Sequence, residues 1–71
     1  MDKVILFGAS IRGQTAYKNL IKEYEIVYFA DNNEAKWGEE LCGIEIISPH
    51  SLVSLKDDCQ IIITSQYDIA I

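Results

Sequence analysis

The chain has 71 residues, 49% apolar and 24% charged, with a formal net charge of −5 at pH 7: one small globular domain, burying about 60% of its unfolded surface with little stability to spare. An acidic balance with few, dispersed Lys and Arg argues against a nucleic-acid or membrane-surface partner. No apolar run nears the roughly 20 residues of a membrane span, and no signal peptide precedes the first strand, so a cytoplasmic location is expected.

A strand is expected from Lys3 to Phe7, where Val4 to Phe7 is an unbroken apolar run, the pattern of a strand buried on both faces of a parallel sheet. Gly8-Ala9-Ser10-Ile11-Arg12-Gly13 follows, and an amphipathic helix is expected to about Tyr24, with Gly13, Ala16, Tyr17, Leu20 and Ile21 on its apolar side. A second strand runs from Ile26 to Ala30 and ends in Asp31-Asn32-Asn33, which is turn chemistry. Glu34 to Leu41 has weak helical character, ending near Gly43, and Ile44 to Ile47 reads as a third strand. Ser48-Pro49 marks a helix start, with Ser as N-cap and Pro at the first position, and Leu52, Val53 and Leu55 give about two turns an apolar side. Asp57 and Asp58 turn the chain into a fourth strand, Gln60 to Thr64, expected to be fully buried. The six residues after Ser65 are too few for the helix that should follow, so the chain, residues 1–71, is read as a single domain that is an excised module or one half of a doubly wound fold. The expected fold is a three-layer α/β unit with four parallel strands in order 3-2-1-4 and right-handed crossovers.

Strand, glycine turn, helix, strand and acid, in that order, suit a nucleotide. The free N–H groups and positive dipole end of a helix favour a phosphate. Gly8 and Gly13 suit any tight strand-to-helix turn, and they also let a phosphate approach the backbone. The amides from about Ile11 onward face that position. Arg12 offers a guanidinium there, against the plainer role of a solvated loop-tip side chain. Asp31, 23 residues after Gly8, either accepts two ribose hydroxyls or caps its own turn, and its charge disfavours a 2′-phosphate. Asn32 beside it and Ser65, at the carboxyl end of the fourth strand with Gln66, complete the candidate set. Trp37 is read as a lid over the core edge before a base-stacking platform, and His50 has no catalytic partner at fixed spacing.

Phe7-Gly8-Ala9-Ser10, Phe29-Ala30-Asp31-Asn32-Asn33 with Lys36-Trp37-Gly38, Gly43-Ile44-Glu45-Ile46-Ile47-Ser48-Pro49 and Ile61-Ile62-Ile63-Thr64-Ser65 together give a resemblance. The chain resembles the small Rossmann-like domain of bacterial polysaccharide-biosynthesis enzymes: FkbM-type methyltransferases, glycosyltransferases, nucleotide-sugar epimerase/dehydratases and sugar acetyltransferases. The resemblance spans essentially the whole chain and implies a UDP-sugar or NAD-type nucleotide as ligand and the catalytic domain of a parent chain as partner. One position departs from the G-x-G-x-x-G pattern. Ser10 stands where the second glycine admits a pyrophosphate, and its hydroxyl is a possible donor to a phosphate oxygen.

No triad, paired carboxylates or metal-ligand spacing can be assembled, and Cys42 and Cys59 read as free thiols. No catalysis by this chain alone and no metal are expected. The favoured expectation is a nucleotide or nucleotide-sugar binding module. Its rivals are a docking domain that has lost its ligand, and half of an NAD-dependent nucleotide-sugar epimerase/dehydratase.

Overall fold

The computed structural model describes residues 2–64. Ser65, Gln66 and the end of the chain, with the expectations placed on them, lie outside the described residues.

Strand β1 (Asp2–Phe7) leads through the glycine turn into helix α1 (Ile11–Leu20) and back to strand β2 (Tyr24–Ala30). The helix ends earlier than its apolar spacing suggested. Ile21 N–H closes on the Tyr17 carbonyl and Glu23 N–H on that of Leu20, and Tyr24 already pairs with Asp2 as the first residue of β2. Tertiary pairing thus claims an aromatic residue that also fits the helical stripe. Gly13 and Ala16 are the buried residues of α1, and their small size lets it lie close on the sheet. The Tyr17 ring packs against Phe29 at 6.1 Å between centroids.

The sheet corrects the expected four-stranded parallel one. It has five strands in the order β3-β4-β2-β1-β5, and it is mixed. Strands β4 (Ile44–Ile47), β2, β1 and β5 (Gln60–Ile63) are parallel and keep the expected order. The added strand β3 (Glu40–Leu41) pairs antiparallel with β4. It occupies residues whose pattern suggested helix, where only a 3₁₀ turn, Glu34–Lys36, forms. Two local devices make the hairpin. Cys42 (φ 56°) and Gly43 (φ 77°) both take positive φ, the pattern of a type I′ two-residue turn. At its far end Gly38, at φ +86°, donates to the Ile46 carbonyl, and Ile46 N–H donates to that of Glu39. This is a G1 bulge, two residues opposite one.

The second helical segment is also shorter than expected. A 3₁₀ turn, Pro49–Ser51, continues into a single α turn, α2 (Leu52–Leu55). Pro49 opens it as expected, but the Ser48 side chain makes no capping bond. The β1-to-β2 and β4-to-β5 crossovers run in opposite directions across the sheet, and right-handed crossovers then put α1 and α2 on opposite faces.

Val4, Leu6, Ala9, Ala16, Ile26, Phe29 and Ile46 form the core cluster. Ile5, on the other face of β1, is equally inaccessible, so the central strand is covered on both sides. Strand β5 is not the fully buried strand expected. Ile63 is 45% exposed and Ile61 and Ile62 are half-buried; among the described residues β5 stands at the end of the strand order. Among the described residues no helix is long and apolar enough to cross a membrane. Cys42 and Cys59 are free thiols.

Candidate functional site

Phe7 pairs with Ala30 on one side and Ile63 on the other, so β1, β2 and β5 end level with one another. The residues that follow, Gly8, Asp31 and Thr64, therefore converge at the carboxyl edge of the sheet. They line an open cleft of about 370 Å³. It sits where the crossover to β2 and the strand β5 diverge, the switch point at which open α/β sheets take their ligands.

Of the residues singled out from sequence, Gly8, Ser10, Arg12, Asp31 and Asn32 all line this cleft. Ile11 lies beside it, 80% exposed in the first turn of α1. Gly13 is a packing residue: a Cβ there would collide with the Gly8 carbonyl and press on Phe29. Ser65 lies outside the described residues. Trp37 is not in the cleft wall. Its indole Nε1–H donates to the Asp31 carbonyl at 2.7 Å, tying the turn after β2. His50 is exposed in the 3₁₀ turn that follows β4.

The turn after β1 is held at nearly every backbone group. Gly8 N–H donates to the Ala30 carbonyl at 2.6 Å. The buried Thr64 hydroxyl is 3.1 Å from the Phe7 carbonyl and 3.2 Å from that of Gly8, sharing its proton between them. Gly8, at φ +122°, leaves room for that hydroxyl, since any Cβ would overlap it. Beyond the turn Ser10 is extended (φ −129°) and its side chain does not cap the helix. The first i-to-i−4 bond runs from Gln14 N–H to the Ser10 carbonyl, so the amides of Ile11, Arg12 and Gly13 precede the ladder. No acidic side chain stands in the helix's own first turn.

Asp31 joins the two turns. Its Oδ2 accepts from Ala9 N–H at 2.9 Å and its Oδ1 from Asn33 N–H at 2.8 Å. Lys36 Nζ lies 3.9 Å from Oδ2 and donates to the Ala9 carbonyl at 2.8 Å. Burial alone would raise the Asp31 pKa; the two backbone hydrogen bonds and the Lys36 charge outweigh it and hold the carboxyl below its ordinary value. Both oxygens are engaged, so the capping role is realised.

Sequence reasoning missed Lys36 and the part Thr64 plays here. Thr64 was legible only as a residue at a strand end; Lys36 was legible only as part of the Lys36-Trp37-Gly38 motif, with no role attached, and its partners lie 27 and 5 positions away. Among the described residues no cluster of His, Cys, Asp and Glu suits a metal ion.

The fold is similar to that of UDP-D-quinovosamine 4-dehydrogenase from Vibrio fischeri, with a TM-score of 0.75 and 25% identity over 87% of this chain. The match covers 55% of that protein's chain, so this chain corresponds to about half of it. No curated protein sequence matches. The family described as C2185-like, N-terminal, matches residues 1–71, the whole chain, and to that family the chain belongs.

Proposed function

We propose that the chain is the nucleotide-binding module of a nucleotide-sugar enzyme of glycan biosynthesis, with the chemistry carried by another domain. The observation that carries this is the cleft itself. A glycine turn, the open end of a ten-residue helix, Arg12 and Asp31 meet at the switch point among the parallel strands of the mixed sheet. A diphosphate would lie against the first turn of α1, with Ser10 and Arg12 as further donors, and the ribose toward Asp31 and Asn32. The likeness to a UDP-sugar dehydrogenase supports a nucleotide-sugar or NAD-type ligand. It also favours the epimerase/dehydratase relatives, over methyltransferases, glycosyltransferases and acetyltransferases, as the source of the catalytic domain.

One observation favours the docking-domain rival: Asp31 is already occupied by Ala9 and Asn33. An amide NMR titration with UDP, ADP and NAD separates the two. Binding moves the amides of residues 11–14 together with Gly8 and Asp31. If millimolar nucleotide moves none of them, the chain is a docking domain.

A further inference from the structure

From Phe7 to Ala9 the turn's backbone groups are taken one after another by residues distant in sequence. The Thr64 hydroxyl meets the Phe7 and Gly8 carbonyls, Ala30 takes Gly8 N–H, Asp31 takes Ala9 N–H, and Lys36 takes the Ala9 carbonyl. Ala9 is 5% exposed, so a carbonyl left there without its donor would be poorly hydrated. Lys36 is the one cation in this set, and it reaches Ala9 from a different turn, across 27 residues.

We propose that Lys36 is a positioning residue for the cleft: with Asp31 it grips Ala9 by both its N–H and its carbonyl, fixing the turn from which α1 starts before any ligand arrives. This rests on the nucleotide-binding reading above. A pre-set turn spares the ligand the ordering of three backbone residues, which otherwise subtracts from affinity. The role is indirect. Lys36 is not in the cleft wall, and its ammonium is directed to Ala9 and Asp31.

The test compares the wild type with Lys36→Met, reading UDP affinity by NMR at about 0.02 and about 0.5 M NaCl, with amide hydrogen exchange at Ala9 in the free proteins. Lys36→Met weakens UDP roughly tenfold, the scale expected for loss of pre-organisation. That loss persists at high salt, where a long-range charge effect would be screened out, and Ala9 exchange accelerates. Equal affinity in the two proteins, or a loss that vanishes at high salt, overturns the proposal. A wild type in which none of UDP, ADP and NAD moves the amides of residues 11–14 at either salt overturns the nucleotide reading and this proposal with it. That outcome is recognised by the absence of any shift, whereas equal affinity in two binding proteins overturns this proposal alone. Should Lys36→Met not fold, Lys36→Ala is read in the same two ways, and unchanged UDP affinity with unchanged Ala9 exchange refutes the proposal.

Discussion

Among the described residues the backbone departs from ordinary geometry in two regions, the turn after β1 and the edge hairpin β3–β4, and it does so for different reasons. At the hairpin Gly38, Cys42 and Gly43 have positive φ, yet a Cβ on either glycine would meet nothing within 4 Å. Only the torsion is demanded there, and at position 42 a cysteine meets it. At the turn Gly8 has positive φ and no room, because the space is filled by the Thr64 hydroxyl. The hairpin asks for a conformation; the cleft asks for a conformation and a shape. A turn pinned on several sides tolerates less than one that faces solvent, and that is the turn against which a ligand would lie.

Gly8→Ala and Gly43→Ala put this contrast to the largest test. Gly8→Ala combines a disfavoured torsion with overpacking, for about 3–5 kcal/mol, a large fraction of a small domain's stability. Gly43→Ala carries the torsional penalty alone, about 1 kcal/mol. Adding Thr64→Ala to Gly8→Ala should recover part of the loss, a coupling measurable by denaturant unfolding. Equal costs at positions 8 and 43, with no such coupling, would dissolve the distinction.

Asp31→Ala comes next. It strands the Ala9 amide, so a loss of about 1–3 kcal/mol is expected. The loss also depends on pH. The folded carboxyl is held below its ordinary value, so on acidification the unfolded chain takes up the proton first. The Asp31 contribution is therefore full above the ordinary carboxylate range near pH 4 and fades as pH falls through the lower folded value. Unfolding free energies across that window should fall more steeply for wild type than for Asp31→Ala; parallel curves would remove the carboxylate from the account.

The hairpin gives the smaller effects. Glu40 and Glu45 face each other directly across β3 and β4, and like charges so placed are unfavourable. Glu40→Lys should stabilise by about 0.2–1 kcal/mol, less at high salt, as thermal melts in the two conditions would show. The smallest change is Cys42→Asn, which places Asn-Gly in the two-residue turn. A gain of about 0.5 kcal/mol is expected from a residue better suited to positive φ. If it destabilises instead, the turn is not limited by torsion and the contrast with Gly8 loses its second half.

Much of the parallel scaffold was legible from local pattern. The strands expected at residues 3–7, 26–30, 44–47 and 60–64 form, as 2–7, 24–30, 44–47 and 60–63, in the order anticipated; the run covered on both faces, β1, has few placements other than the centre. The hairpin was not legible. Cys-Gly is a weak turn signal beside Asn-Gly, and a two-residue strand is too short to show any period. Five of the eight candidate site residues line one cleft, because glycine turns and strand-end acids are fixed by sequence neighbours.

By itself the sequence determined the β-α-β order, the glycine turn ahead of the helix and the acid at the end of β2. Spacing, apolar runs and capping chemistry are local properties, written within a few residues of where they act. The tertiary structure alone decided that Thr64 fills the space Gly8 leaves, that Asp31 and Lys36 close on Ala9, and that an antiparallel strand extends the sheet. Each of these depends on groups 22 to 57 positions apart, or on an edge whose pairing partner is chosen only once the parallel strands have assembled. No periodicity encodes such meetings; the register of β1 with β2 and β5 does.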